Sequence, residues 1–319
     1  MKTYCKHSRI TEPAFVRESI ERFLKGKRSR RDVNEFLSRH PDLDSLSRQI
    51  ADEIGRGEYR FAPIRYFRRV EPISGKIRII GRESIRHQIY DYVCGTALMP
   101  LFRAKVGRWQ TASIPGRGIA AARRAIKQWA REPSSRVFVK LDVRKCYPSI
   151  SREVLKRLLS RDVGDRRLLD LTFHLIDRYA GDDGLNIGSY LSQWLANYYL
   201  SYAYHFCEQH LSKERVNRRT GETATRRLVT HLLFYMDAIA SQTAVGAINA
   251  FGGPFRLDGA YAAVVHHLPM QQFKLAEQQL LHALVQRVAP VVDPVEHPWD
   301  EQIGRRRVGK ECRSRWSPY

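Results

Sequence analysis

The sequence is poor in several features, and each shortage excludes a class of protein. Five cysteines occur in 319 residues, none of them as C-x-x-C. This pattern argues against a disulfide framework or a zinc ribbon and favours a reducing cytoplasm. No apolar run reaches the roughly 18 residues of a membrane-spanning helix. The first residues, MKTYCKHSRITEP, contain no apolar segment, so we expect no signal peptide and a cytoplasmic protein.

Acidic residues are scarce relative to basic ones. The chain has 33 Asp and Glu against 55 Lys and Arg, which gives a net charge of +22. Such an excess attracts polyanions, so nucleic acid is the expected partner. The alternative is a basic protein whose charge serves only its solubility. With 43% hydrophobic residues the chain can form a core, and its length corresponds to about two domains.

The composition changes abruptly near residue 238. Residues 238–301 carry three basic and six acidic side chains, and Ala, Val and Gln become common there. Residues 302–319 carry six basic side chains and one acidic side chain. Nearly all of the positive charge therefore belongs to residues 1–237, and the change marks either a domain boundary or a break in the reading frame.

Hydrophobic periodicity predicts a mixed fold with strands and helices alternating in the middle of the chain. Apolar positions at helical spacing predict helices at 14–26, 31–56, 83–105, 119–131, 151–180 (one or two helices) and 189–211. Strands are predicted at 76–80, 137–143 and 228–236, with a loop at 109–118, a turn at 181–184 and a polar, basic insertion at 212–227. The order βααβ indicates an α+β sheet covered by helices on one face.

Two of the predicted strands end in an aspartate. VFVKLDV delivers Asp142, and RLVTHLLFYMD delivers Asp237. Carboxylates at neighbouring strand ends can share two metal ions about 3.5–4 Å apart, and Mg²⁺ prefers such oxygen ligands. The alternative is that both are ordinary turn residues.

A third segment, GLNIGSYLSQWLANYYL at 184–200, combines glycines with small and amide side chains. Glycine lets the backbone approach a ligand closely. On the helix that follows, spacings of four and five place Gly188, Ser192 and Asn197 near one face, with Gln193 beside them. Such side chains suit contact with a nucleotide or template base. The alternative is a packed amphipathic helix.

These three segments also fit the motifs of one protein family in the right order. Segment 184–200 matches the pattern G-L-x-x-G-x-x-x-S-Q-x-x-A-N-x-Y-L at every fixed position. Asp142 with Tyr147 five residues later resembles the first catalytic motif of that family, and Tyr235-Met236-Asp237 resembles the start of its Y-x-D-D motif. The chain thus resembles the reverse transcriptases of bacterial retroelements, of group II intron, diversity-generating or retron-like type.

The resemblance covers about residues 60–237 and implies a right-hand polymerase fold of class α+β. Upstream, residues 75–80 (GKIRII) resemble the fingers strand that grips the triphosphate, and 114–118 (IPGRG) resemble a glycine-rich element before the first catalytic strand. The implied organisation is an N-terminal helical region at 1–59, fingers at 60–136 and a split βαβ palm at 137–237. The thumb is missing or unrecognisable.

The resemblance implies two-metal nucleotidyl transfer from dNTPs to a DNA or RNA primer on an RNA template. Asp142, Asp237 and the backbone carbonyl of Val143 would bind two Mg²⁺ ions, or Mn²⁺ in their place. The implied nucleotide-binding residues are Lys76, Arg78, Tyr147 and Gln193. The implied template–primer contacts are Gly188, Ser192, Asn197 and Arg117.

The chain departs from the family at its C-terminal part. The second Asp of Y-x-D-D is Ala238, and loss of one such electrostatic contact costs about 10²–10³ in rate. No later segment resembles a primer grip or a basic thumb. Residues 302–319 resemble a translated sequencing adapter, so we interpret 238–301 as an out-of-frame or divergent segment of an incomplete or inactivated copy.

Two alternatives remain open beside a catalytic polymerase. One is a non-catalytic nucleic-acid-binding protein on a reverse transcriptase scaffold. The other is a template-independent polymerase, with which the predicted N-terminal helices are compatible. A short nuclease pattern, Arg82-x-x-x-x-His87, also occurs, but chance produces it often.

Overall fold

The computed structural model of the chain describes residues 3–243 and 263–269, apart from 73–74, 76, 133–136, 218, 228 and 237. The helices of this part are α1 Pro13–Leu24, α2 Arg31–Arg39, α3 Leu43–Arg56, α4 Ile85–Ala97, α5 Met99–Lys105, α6 Gly118–Trp129, α7 Cys146–Ser149, α8 Arg152–Asp162, α9 Arg166–Asp177 and α10 Tyr190–His210. The strands are β1 Arg65–Val70, β2 Ile77–Arg82, β3 Val137–Arg144, β4 Ser212–Val216, β5 Thr223–Arg227, β6 Val229–Tyr235, β7 Ala238–Thr243 and β8 Ala263–Pro269. None of these described helices is both long and apolar enough to cross a membrane.

The single helix predicted over 31–56 is wrong, because the structure divides it into α2 and α3. The break falls at His40, which precedes Pro41, and a residue before proline disfavours helical backbone. Asp42 then starts α3 by accepting two backbone hydrogen bonds from the first turn. The helix predicted over 83–105 is likewise two helices, α4 and α5, and the second carries Pro100 in its first turn.

Helix α4 lies at the centre of the main hydrophobic core. Its side chains Ile89, Tyr90 and Val93 are almost completely buried. The helix contacts α1, α9 and α10, and α10 in turn packs against β6. Burial of this kind contributes about 1.5–3 kcal/mol for each large apolar side chain. The core therefore joins the N-terminal helices to the sheet.

A four-stranded sheet has the strand order β6-β7-β3-β8. The strands predicted at 137–143 and 228–236 are confirmed as β3 and β6, but they do not pair directly. β7 lies between them and is antiparallel to both, while β8 is parallel to β3. Residues 238–243, at the start of the segment interpreted as out of frame, thus form the strand that links the two predicted strands. The adapter-like residues 302–319 lie outside the described residues.

Two antiparallel hairpins were not predicted as such. The predicted strand at 76–80 is confirmed as β2, and it pairs with β1 from Arg65↔Arg82 to Val70↔Ile77. The polar insertion predicted at 212–227 folds into the hairpin β4–β5. β1 is exposed along its whole length, so it lacks the alternation of apolar and polar residues by which a half-buried strand is recognised.

Arg152, at the start of α8, anchors the turn that precedes α10. Its buried guanidinium donates hydrogen bonds to the backbone carbonyls of Gly184, Gly181 and Ala180, each 2.8 Å long. Hydrogen bonds from a charged donor contribute more than neutral ones. This one side chain therefore fixes the predicted turn at 181–184.

Replacing Arg152 by methionine is expected to lower the free energy of unfolding by about 2–5 kcal/mol. The substitution keeps most of the apolar stem but leaves the buried carbonyl of Gly184 without its donor, at a cost of about 1–3 kcal/mol, and also removes the bonds to the exposed residues Gly181 and Ala180. Urea denaturation of the full chain measures the change. Arg157→Met is the matched control, because Arg157 is exposed on the same helix and its loss should cost less than about 0.5 kcal/mol. Equal losses for the two variants would contradict the anchoring role.

Candidate active site

The register of the sheet brings the C-terminal end of β3 to the turn between β6 and β7. Asp142 of β3 pairs with Ala238 of β7, and Ala238 pairs on its other side with Tyr235 of β6. Val143, the next residue of β3, is buried. Asp237 lies outside the described residues. The two segments predicted to carry the carboxylates therefore meet at the C-terminal ends of strands β3 and β6.

Tyr147 contacts the turn between β6 and β7 directly. Its hydroxyl donates a hydrogen bond to Sδ of Met236 at 3.7 Å, and the Tyr147 side chain is half-buried. Met236 has a left-handed backbone with φ of 56°. Lys145 is also left-handed, with φ of 50°, where the chain leaves β3 for α7. The first predicted motif and the hairpin turn thus form one contiguous surface.

Segment 184–200 is held against the residues that follow β3 by its own backbone. Gly184 N donates to Ile150 O, and Leu185 N donates to Tyr147 O, both at 2.9 Å. Gly184 has φ of 92°, and a Cβ there would lie 2.8 Å from Cα of Pro148. Only glycine accommodates both conditions. The first glycine of the predicted motif is therefore required by close packing between two motifs.

Changing Gly184 to alanine is expected to lower the free energy of unfolding by at least about 2 kcal/mol, since it adds backbone strain and a steric clash. Gly181→Ala is the matched control. Gly181 has a similar left-handed φ of 74°, but its nearest neighbour to an added Cβ is 3.8 Å away. Thermal or urea unfolding compares the two variants. If Gly181→Ala were as destabilising as Gly184→Ala, the close approach to Pro148 would not be the cause.

The polar residues of α10 differ in their exposure. Ser192 is completely buried and Asn197 is 2% exposed, whereas Gln193 is half-buried. Nδ2 of Asn197 donates to the carbonyls of Ala112 at 3.1 Å and Gln193 at 3.0 Å. Asn197 thus binds the loop before α6. Gly188, just before α10, has φ of 111° and lines a surface cavity.

The loop before α6 is fixed by Arg117 and by a residue that sequence reasoning missed, Gln110. The Arg117 guanidinium donates to the carbonyls of Gly107 at 2.6 Å and Gln110 at 3.1 Å. The buried Gln110 side chain donates to the Asn197 carbonyl at 2.8 Å. Nothing in the sequence around Gln110 indicates that its side chain holds this loop.

The predicted phosphate-binding residue Arg78 lies on the exposed hairpin β1–β2. Its guanidinium is 42% exposed and lies 3.3 Å from the Glu71 carboxylate. Lys76 lies outside the described residues. The hairpin also presents exposed apolar and basic side chains, namely Tyr66, Phe67, Val70, Ile77, Ile79, Arg65, Arg68 and Arg69. Interleaved aromatic and arginine side chains are typical of surfaces that bind single-stranded nucleic acid.

The short nuclease pattern does not assemble into one site. The His87 ring is completely buried, whereas Arg82 is exposed and lies 3.1 Å from the Asp32 carboxylate. A nuclease would need both groups at the surface with the substrate.

Comparisons with known proteins give a distant similarity. No family model matches the chain. Over 174 residues it is 24% identical to the putative COX1/OXI3 intron 1 protein of Saccharomyces cerevisiae (strain ATCC 204508 / S288c). The alignment covers 51% of this chain and 20% of the yeast protein, so the chain spans about a fifth of the length of that relative. Half of the chain is thus similar to part of a protein that is named for an intron.

Proposed function

We propose that the chain is an RNA-directed DNA polymerase of a bacterial retroelement, present as an incomplete or inactivated copy. The observation that carries this proposal is the pairing of Asp142 with Ala238 at the C-terminal end of β3. Just after that strand end, segment 184–200 is hydrogen-bonded to the carbonyls of Tyr147 and Ile150. Three motifs that are far apart in the sequence converge there. The similarity to a yeast intron protein supports the same class.

By its chemistry, the donor set implied by the resemblance suits Mg²⁺. Asp142, Asp237 and the Val143 carbonyl would offer oxygen ligands, which Mg²⁺ prefers to nitrogen or sulfur. When bound, the ions lower the pKa of the primer hydroxyl and stabilise the leaving pyrophosphate. Ala238 removes one carboxylate from the set. We therefore expect weaker ion binding and slower transfer than a complete Y-x-D-D would give.

The other residues of this proposal bind and orient the substrates. Arg78 would neutralise triphosphate charge. A phosphate could compete with Glu71 for it, because the Arg78 side chain is 42% exposed and lies 3.3 Å from the Glu71 carboxylate. Tyr147, held at the turn by Met236, would contact the deoxyribose and exclude a 2′-hydroxyl. Gln193 would lie near the templating pair. The basic surface of 1–237 would follow the template and primer backbones.

A second candidate function is favoured by Ala238 itself. A chain without the full carboxylate set can retain its basic surface and bind nucleic acid without catalysis. The same scaffold then acts as a binding protein.

Primer extension on an RNA template separates these functions. We expect slow, template-dependent addition of dNTPs in Mg²⁺ or Mn²⁺. Binding that weakens with salt but gives no extension would support the binding protein instead. Addition without any template would indicate a template-independent polymerase.

Arg68 and Arg69 are expected to contribute phosphate contacts from the exposed hairpin. Each change to glutamine should weaken binding to single-stranded RNA and lower the slope of log K against log salt by about 1. Fluorescence anisotropy at several salt concentrations measures the slope. Arg56→Gln is the control, because Arg56 is an exposed arginine of α3 that is paired with Asp52. An unchanged slope for the hairpin variants would exclude this hairpin from the interface.

A further inference from the structure

A buried cluster of Glu83, His87 and Asp91 lies outside the candidate active site. Glu83 directly follows β2, and His87 and Asp91 lie four residues apart on one face of α4. His87 and Asp91 are 0% exposed and Glu83 is 5% exposed. One potential ligand atom from each residue lies within 4.8 Å of the other two. Two carboxyl groups and an imidazole thus converge in a site that is shielded from water.

Polar atoms in this cluster lack hydrogen-bond partners. Within the described part of the chain, neither ring nitrogen of His87 has one, nor does Oδ1 of Asp91. Nε2 of His87 and Oδ1 of Asp91 lie 3.8 Å apart, which is too far for a hydrogen bond. Buried polar groups are almost always paired, so atoms left unpaired across such a gap point to a ligand between them.

The gap of 3.8 Å between Nε2 of His87 and Oδ1 of Asp91 is within the separation that one transition-metal ion can bridge. Zinc binds histidine nitrogen at about 2.0–2.1 Å and carboxylate oxygen at about 2.0–2.2 Å, so one ion spans a separation of up to about 4.2 Å. Neutral imidazole is a common metal ligand, and the buried His87 ring presents Nε2 toward Oδ1 of Asp91. An imidazole ligand favours zinc over Mg²⁺ or Ca²⁺.

Neighbouring groups hold the two carboxyls by their other oxygens. Ser189 Oγ donates to Oδ2 of Asp91 at 2.6 Å, and Nδ2 of Asn186 donates to Oε1 of Glu83 at 2.9 Å. This arrangement orients Oδ1 of Asp91 toward His87. Outer hydrogen bonds of this kind are usual around metal ligands.

Charge and access also suit a cation. Glu83 and Asp91 bring two carboxyl groups into this buried cluster, and their oxygens can offset the charge of a bound cation. Lys27 acts on both electrostatically, and its Nζ lies 3.0 Å from the Tyr92 hydroxyl. A surface cavity of about 680 Å³ is lined by Glu83, so the Glu83 end of the cluster lies next to this cavity.

We propose that Glu83, His87 and Asp91 bind one divalent transition-metal ion, with zinc as the expected occupant. The ion would tie the end of β2 to α4. Through Ser189 and Asn186 it would also stabilise the start of segment 184–200. This site does not depend on polymerase activity, so it stands or fails separately from the proposed function.

The test is a titration of the metal-free full chain with Zn²⁺ in competition with a chromophoric chelator. We expect the unaltered chain to bind one equivalent of Zn²⁺ tightly. His87→Gln and Asp91→Asn should each weaken this binding by at least about 100-fold, since changes even to the outer partners of a metal ligand cost 10–100-fold. Cobalt substitution should give visible absorption that Asp91→Asn loses.

His205→Gln is the matched control. His205 is a half-buried histidine of α10 outside the cluster. Its Nδ1 lies 3.4 Å from Oε2 of Glu208 and its Nε2 lies 2.8 Å from the Lys105 carbonyl, and its loss should leave the tightly bound zinc intact. Circular dichroism verifies that Asp91→Asn, which preserves side-chain shape, is folded. The proposal is overturned if the unaltered chain binds no tight equivalent, or if folded Asp91→Asn binds zinc as tightly.

Discussion

Replacing Ala238 by aspartate is expected to raise the rate of RNA-templated primer extension by about 10²–10³-fold. Position 238 pairs directly with Asp142 across β7 and β3. By the resemblance, this is the position of the second acid of Y-x-D-D. The new carboxylate would therefore restore an oxygen ligand for Mg²⁺.

Ala238→Asn is the matched control for this change. Asparagine has nearly the shape of aspartate but no negative charge, so it should leave the rate close to that of the unaltered chain. Single-nucleotide extension on a primed RNA template measures both variants. Equal rates for aspartate and asparagine would contradict an electrostatic role at position 238.

Removing the Asp142 carboxylate should have the opposite effect. In the Ala238→Asp background, Asp142→Asn is expected to reduce extension by at least about 10²–10³-fold, toward the level without enzyme. The substitution removes the negative charge predicted to bind Mg²⁺ while keeping the side-chain size. RNA binding should persist, because the basic surface is unchanged and one acidic charge is lost.

The control for Asp142→Asn is Asp177→Asn at the end of α9. Asp177 is an exposed carboxylate paired with Lys156, and its loss should not alter the extension rate. Extension assays and anisotropy on the same preparations separate catalysis from binding. Full extension by the Asp142 variant would overturn the proposed function, and equal loss in both variants would exclude a specific role for Asp142.

The sequence predicted the elements whose apolar pattern is strong, and it missed those whose pattern is weak. The strands β3 and β6 and the long helix α10 follow from continuous apolar runs and helical periodicity. The exposed strand β1 buries too little to leave such a pattern, and the polar composition of residues 212–227 gives none either. The breaks between helices arise at prolines. Hydrophobic periodicity is assessed over many residues, so it does not register the local effect of a single proline.

The candidate site was predicted only in part for a similar reason. The resemblance to reverse transcriptases implies that Asp142 and segment 184–200 belong to one site, and backbone bonds from Gly184 and Leu185 join that segment to the residues after β3. Spacing does not reveal that Asn197 is used inside the protein to hold a loop. Nor does it reveal Glu83, His87 and Asp91, since a buried cluster depends on how separate elements pack.

The position of β7 between β6 and β3 has a consequence for the origin of the chain. A strand is held in a sheet through its backbone groups, and these are the same whatever side chains the strand carries. A shift of reading frame directly after codon 237 can therefore replace every side chain of β7 and still supply a central strand. A polypeptide ending at 237 would instead leave β6 and β3 with unpaired edges, which invite aggregation. A frameshift that leaves the reading frame open after codon 237 is therefore expected to disturb this sheet less than a stop codon at the same position.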